Sequence, residues 1–189
     1  MNKSKNQLAL RKRNELITKQ QDLQQGVEWL VLDTSTSMYA GVPNTTKTRL
    51  QCANEVLNGY GPHIHVCTFN STVSLFKGPR TLSTGGSTSM HLGLAAIQPY
   101  RPSYVLIISD GDVDNQDLTK LEAQLVSELA IIETLYIGPD DPCAEAFMRE
   151  LATIGCGRYR RYDMTKSQTL QLEQVVRSLL PAPSKSIEV

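Results

Sequence analysis

The sequence predicts a doubly wound α/β domain: a mainly parallel six-stranded sheet with helices on both faces, preceded by an N-terminal helix. Short apolar runs alternate along the chain with segments of helical periodicity, and this alternation is typical of βαβ units. Residues 104–109 are apolar almost throughout, as in a strand that is buried on both faces of a parallel sheet. The 189 residues, of which 40% are hydrophobic, are enough for one domain with its own core.

The two ends of the chain differ in composition from the domain between them. Residues 1–25 are predicted to form a basic helical arm, because they lack Pro and Gly and six of them are basic. The predicted domain covers residues 26–180 and is mildly acidic. Residues 181–189 begin with the helix-breaking Pro181 and are predicted to be a flexible tail.

In the first half of the domain, apolar runs bounded by turn residues predict three strands, at residues 27–32, 63–69 and 73–76. Helical periodicity predicts two helices, at residues 46–57 and 90–97. The first helix ends at Asn58-Gly59 and the second ends before Pro99, because glycine and proline terminate helices.

In the second half, apolar runs predict three further strands, at residues 104–109, 131–137 and 157–162. Asp117 is the predicted N-cap of the next helix. Four leucines at helical spacing are the predicted core face of that helix: Leu118, Leu121, Leu125 and Leu129. Two more helices are predicted, around residues 144–151 and over residues 169–180.

Composition excludes several classes of protein. With 12 glycines and 9 prolines, the chain is neither collagen-like nor disordered throughout. No apolar run approaches the ~20 residues of a membrane-spanning helix, and no apolar stretch follows the basic N-terminus as it would in a secretory signal. The four cysteines are far apart without a C-x-x-C motif, which indicates reduced thiols. We therefore expect a cytoplasmic monomer without a membrane segment.

Hydroxyl and carboxylate side chains follow the first and fourth predicted strands. Asp33, Ser35 and Ser37 come directly after the first strand, Asp110 follows the fourth, and Thr88 opens a helix between them. These residues should meet, because ligands of such sheets bind at the carboxyl ends of the strands. In an extended run, Asp33, Ser35 and Ser37 would point to one side. Oxygen ligands with only two carboxylates favour a hard cation, Mg²⁺ first, with Mn²⁺ or Ca²⁺ as alternatives.

This arrangement resembles the metal-ion-dependent adhesion site of von Willebrand factor type A domains, also called integrin I domains, which have a Rossmann-like fold. The motif is Asp-x-Ser-x-Ser after the first strand, Thr after a Gly-Gly turn and Asp-Gly after the fourth strand, and the resemblance covers about residues 27–180. It implies that Ser35 and Ser37 hold the metal directly. It also implies that Thr88 and the two aspartates bind directly or through water. Ser87 stands where the family often has a third glycine.

The resemblance further implies binding rather than catalysis, with a carboxylate of a partner protein filling the open coordination position of the metal. We therefore expect a protein-interaction module without catalytic residues, similar to small adaptors that work beside AAA+ ATPases or in larger complexes. The partner-facing rim of the site is predicted to comprise six residues: Met38, Tyr39, Gly86, Ser87, His91 and Asp112.

Two alternative functions stay open at the level of sequence. A metal-dependent phosphohydrolase also places an Asp after the first strand, but it needs a second carboxylate for proton transfer at the position of Ser35. The basic arm, residues 1–25, is a candidate contact for nucleic acid or an acidic partner, or it folds back on its own domain. Nucleic acid is the less favoured partner, because no aromatic residues are interleaved with the basic ones.

Overall fold

The computed structural model describes residues 27–41, 46–59 and 62–162. The strands are β1 (Val27–Asp33), β2 (His65–Phe69), β3 (Val73–Lys77), β4 (Pro102–Ser109), β5 (Ile131–Tyr136) and β6 (Cys156–Arg161). The α-helices are α1 (Arg49–Gly59), α2 (Met90–Ile97), α3 (Gln116–Ser127) and α4 (Pro142–Ile154), and two short 3-10 helices cover Thr36–Tyr39 and Gln98–Tyr100. The predicted arm, the predicted last helix and the predicted tail lie outside the described residues.

The strands form one sheet in the order β3-β2-β1-β4-β5-β6. All neighbouring strands are parallel except β2 and β3, which are antiparallel. Leu30 of β1 pairs with Val66 of β2 on one side and with Leu106 of β4 on the other. The chain therefore reverses its direction of winding between β1 and β4, and a crevice at such a switch point is where α/β sheets bind ligands.

Alternation along β1 separates two hydrophobic cores. Leu30 and Leu32 pack in the core that α1 covers, whereas Trp29 and Val31 pack in the core that α2, α3 and α4 cover. Every residue of β4 is buried, as its apolar run predicts. The predicted mainly parallel sheet with helices on both faces is therefore confirmed. In the described part of the chain, the helices are too short or too polar to cross a bilayer.

Helix α3 buries a different face from the predicted one. The four leucines of the predicted core face are 36–56% exposed, namely Leu118, Leu121, Leu125 and Leu129. The buried residues of α3 are the smaller Thr119, Ala123 and Val126. Both sets have helical spacing, so periodicity alone does not choose between them, and here packing against the sheet selects the smaller side chains. The N-cap is Asn115, whose side chain accepts a hydrogen bond from the Leu118 N–H at 3.0 Å, and not Asp117.

Candidate metal site

The predicted metal ligands lie at the carboxyl ends of β1 and β4, next to the start of α2. Asp33, the last residue of β1, is fully buried, and Asp110, directly after β4, is 3% exposed. Thr88, two residues before α2, is 6% exposed. The side chains of Ser35 and Ser37 lie in the loop after β1, buried and half-buried. Three loops thus bring the five residues to the switch point of the sheet.

The loop after β1 turns sharply instead of running on as an extended segment. The Ser35 N–H donates to Asp33 Oδ1 at 2.8 Å, and a 3-10 helix follows Ser35 at once. This turn brings the hydroxyl oxygens of Ser35 and Ser37 to 2.9 Å from each other. The prediction that strand alternation places these side chains on one side is therefore wrong. The 3-10 turn, and not an extended strand, brings the two hydroxyls together.

The Gly-Gly turn before α2 is attached to the loop after β1 by backbone hydrogen bonds. The Gly85 N–H donates to the Thr34 carbonyl at 3.0 Å, and both the N–H and the hydroxyl of Thr36 donate to the Gly86 carbonyl, at 3.2 and 3.0 Å. Gly86 has a φ of 76°, in the left-handed region that favours glycine. The glycine at this position therefore lets the turn lie against the first loop.

Three hydroxyl residues directly precede α2, and Thr88 is the buried one among them. Ser87 is exposed and its Oγ lies 3.1 Å from Ser71 Oγ, while the Ser89 hydroxyl donates to Asp114 Oδ2 at 3.4 Å. The backbone N–H of Thr88 donates to the same Asp114 oxygen at 3.0 Å. Asp114 therefore ties the start of α2 to the loop after β4, a role that no sequence motif indicates.

Asp33 is held by a hydroxyl that the sequence analysis did not assign. The Ser109 hydroxyl donates to Asp33 Oδ2 at 2.6 Å and accepts from the Gly111 N–H at 3.0 Å. Burial raises the pKa of Asp33 to about 6, and the charge of Asp110 adds to this increase, while the hydrogen bonds from Ser109 and Ser35 oppose it. A cation beside this carboxylate would therefore stabilise its charged form.

Asp110 has a cationic partner from a distant part of the chain. Arg49, the first residue of α1, is 9% exposed, and its Nη1 lies 2.9 Å from Asp110 Oδ2. The same nitrogen donates to the carbonyl of Ser37 at 3.2 Å. Arg49 thus links the loop after β1 with the loop after β4, and no pattern in the sequence identified it.

The donor set and its spacing suit a small hard cation. Neighbouring ligands of an octahedral Mg²⁺, each at about 2.1 Å, lie about 3 Å apart. The 2.9 Å between Ser35 Oγ and Ser37 Oγ matches this separation. The carboxylates of Asp33 and Asp110, together with the nearby Thr88, supply oxygen and neither thiolate nor imidazole, which suits Mg²⁺ or Mn²⁺ better than Zn²⁺.

The predicted rim is mostly accessible, with one exception. Tyr39 is 70% exposed, and Gly86, Ser87 and Asp112 are also exposed, while His91 is half-buried.

Met38 is the exception among the rim residues. It is fully buried and packs in the core that α1 covers, together with Leu30 and Leu32. The prediction that Met38 faces a partner is therefore wrong, because the 3-10 turn directs its side chain inward.

Comparisons with known proteins give similarity of structure alone. No family model matches the chain. No curated protein matches it in sequence.

Several solved structures match the fold. The conserved hypothetical protein BatB from Bacteroides thetaiotaomicron is 16% identical, with a TM-score of 0.59 over 82% of this chain and 98% of that one. The SpRpn10 VWA domain is 11% identical, with a TM-score of 0.58 over 84% of this chain and 95% of that one. A von Willebrand factor type A protein from Catenulispora acidiphila is 16% identical, with a TM-score of 0.61 over 81% of this chain and 41% of that one. The described domain therefore has the fold of a von Willebrand factor type A domain.

Proposed function

We propose that this domain binds a partner protein through a divalent cation, Mg²⁺ or Mn²⁺, with Ca²⁺ as an alternative. Ser35 and Ser37 would hold the ion directly, and Thr88, Asp33 and Asp110 would bind it directly or through water. The ion would supply a coordination position that accepts a carboxylate oxygen of the partner. The observation that carries the proposal is that a pair of hydroxyls 2.9 Å apart and two buried carboxylates lie at the carboxyl ends of β1 and β4.

Accessibility supports a protein as the partner. Tyr39, Gly86, Ser87 and Asp112 leave a partly open surface around the site, which a side chain of another protein can reach. Tyr39, at 70% exposure, offers an aromatic contact of the kind that is enriched at protein interfaces. The likeness to the SpRpn10 VWA domain supports the fold, and the proposed role in binding rests on the residues of the site.

Binding is a better proposal than metal-dependent phosphate hydrolysis. The position that would need a second carboxylate holds Ser35, whose hydroxyl lies 2.9 Å from the Ser37 hydroxyl. A serine hydroxyl does not exchange protons near neutral pH as a catalytic carboxyl does. We therefore expect no turnover of a generic phosphate ester in the presence of Mg²⁺. The adaptor role beside AAA+ ATPases and the contacts of the basic arm stay predictions.

The metal part of the proposal predicts a stabilisation that depends on Thr88. A metal that binds only the folded domain at ~100-fold excess over its Kd stabilises by about 2.7 kcal/mol. For a chain of this size, that should raise Tm by about 5–10 °C relative to EDTA. Thermal unfolding in EDTA, Mg²⁺, Mn²⁺ and Ca²⁺ measures this shift. Thr88→Ala should reduce the shift strongly, whereas the neighbouring Ser87→Ala should retain it, because Ser87 is exposed and turned to Ser71.

The partner part of the proposal is tested by selection of displayed random peptides on the Mg²⁺-loaded domain, with elution by EDTA. We expect the eluted peptides to share an Asp or Glu whose change to Asn or Gln abolishes binding. The Thr88→Ala variant serves as the negative control for the selection. Peptides that bind equally in EDTA, or that lack a required acidic residue, would argue against a carboxylate that completes the site.

A further inference from the structure

Arg49 places a permanent positive charge inside the proposed metal site. Its side chain is 10% exposed, and its Nη1 contacts both Asp110 Oδ2 at 2.9 Å and the Ser37 carbonyl at 3.2 Å. Asp110 and Ser37 belong to different loops of the site, 73 positions apart in the sequence numbering. Arginine keeps its charge at every physiological pH. The guanidinium therefore brings a positive charge next to Asp110 and Ser37.

Arg49 engages only one oxygen of the Asp110 carboxylate. Oδ2 accepts from Arg49 Nη1 at 2.9 Å, whereas Oδ1 accepts from the Asp112 N–H at a long 3.4 Å. The Nε of Arg49 is buried and has no hydrogen-bond partner among the described residues. The pair is therefore a single charged contact rather than a two-pronged clamp, and Oδ1 stays available to a second cation.

The charges of the site differ from those of an all-carboxylate site. Asp33 and Asp110 together carry two negative charges when both are ionised, and Arg49 cancels one of them. With a divalent ion bound, the site would carry a net positive charge, which a carboxylate from outside would neutralise. Two cations that share Asp110 repel each other, and burial makes this repulsion stronger than it would be in water.

We propose that Arg49 is a resident counter-ion that competes with the divalent ion for Asp110 and so weakens metal binding by the domain alone. This inference rests on the proposed function, because it concerns the same site. When no ion is bound, Arg49 balances Asp110 and holds the two loops together. When an ion is bound, the excess positive charge makes the site depend on an anionic partner. The domain would then hold metal firmly only in the complex.

The test is the affinity of the full chain for Mn²⁺ alone, measured by calorimetry and by electron paramagnetic resonance of free Mn²⁺. Arg49→Gln removes the charge but keeps an N–H donor for Asp110 and Ser37, whereas Arg49→Lys keeps the charge. We expect Arg49→Gln to bind Mn²⁺ about tenfold more tightly or better, since loss of a nearby positive charge removes a repulsion. Arg49→Lys should stay within about threefold of the native chain, because the charge is retained.

The possible outcomes separate the inference from the proposed function. Equal or weaker Mn²⁺ binding by Arg49→Gln overturns the inference and would make Arg49 a positioning residue for Asp110. If Arg49→Gln binds Mn²⁺ and the native chain does not, the inference is supported. The native domain would then bind metal only together with its partner. Absence of binding in all three proteins overturns the inference and the metal site together. If Arg49→Gln does not fold in EDTA, recovery of its folding by Mn²⁺ supports competition, and failure to recover opposes it.

Discussion

Replacing Asp110 by alanine should lower the free energy of unfolding of the metal-free domain by about 3–5 kcal/mol. The variant leaves the Arg49 guanidinium buried at 9% exposure without its counter-charge, which lies 2.9 Å away in the native chain. The remaining contact of Arg49, the Ser37 carbonyl at 3.2 Å, carries no charge. Urea denaturation in EDTA measures the loss.

The control for this variant is Asp112→Ala, two residues further along the same loop. Asp112 is exposed, and the hydrogen bond to Asp110 comes from its backbone N–H. Surface substitutions of this kind usually change the free energy of unfolding by less than about 0.5 kcal/mol. If Asp110→Ala had the same free energy of unfolding as Asp112→Ala, the Arg49–Asp110 pair would not stabilise the fold. That result would contradict the proposal that Arg49 is the counter-ion of Asp110.

Replacing Asp33 by asparagine should have the opposite effect and stabilise the metal-free domain at pH 7–8 by about 2 kcal/mol. Burial raises the pKa of Asp33 from 3.8 to about 6, so the fold favours the protonated carboxyl over the ionised one. A shift of this size corresponds to about 3 kcal/mol, which is the upper limit of the gain. Asparagine stays neutral, accepts from the Ser35 N–H as Asp33 does, and can donate to the Ser109 hydroxyl in place of accepting from it.

The pH dependence gives the sign of this effect. The contribution of Asp33 to stability is fully present below the ordinary pKa of 3.8 and is lost as the pH rises through about 6. The native chain and Asp33→Asn should therefore be similar in stability near pH 4 and diverge between pH 4 and pH 7. Urea denaturation in EDTA across this range measures the gap. A variant less stable than the native chain at pH 8, or a gap that does not change with pH, would contradict this account.

The same variant should lose the metal-dependent rise in Tm, because a neutral amide replaces a charged ligand. If Asp33→Asn gains stability without metal and loses metal binding, Asp33 serves function rather than folding. Replacing a purely structural carboxylate would lower the stability instead. Functional sites commonly carry such destabilising groups.

Much of the fold and the position of the site followed from local patterns. The apolar run of β4 predicts a strand buried on both faces. Asp33 is the last residue of β1 and Asp110 directly follows β4, and these two strands flank the switch point. Both inferences need only the order of residues along the chain and the general rule that ligands bind at the carboxyl ends of parallel strands.

The features that were missed depend on contacts between distant residues. Arg49 and Asp110 are 61 positions apart, and nothing near Arg49 in the sequence indicates a charged partner. The exposure of Met38 and of the four leucines was also not predictable from local sequence. The exposure of Met38 depends on the 3-10 turn, and that of the leucines depends on which face of α3 packs on the domain. For the helix, two separate sets of residues had the required spacing, and only packing selected the set that contains Ala123 and Val126.

The central claim, a divalent cation among the loops after β1, before α2 and after β4, is tested most directly by paramagnetic broadening of amide NMR signals. At low Mn²⁺, we expect the signals of Ser35, Ser37, Thr88 and Gly111 to disappear first, and excess Mg²⁺ to restore them. The exposed acidic residues Glu128 and Glu150, towards the C-terminal ends of α3 and α4, should keep their signals. Broadening that begins at those acidic residues, or that spreads evenly over the domain, would contradict the account.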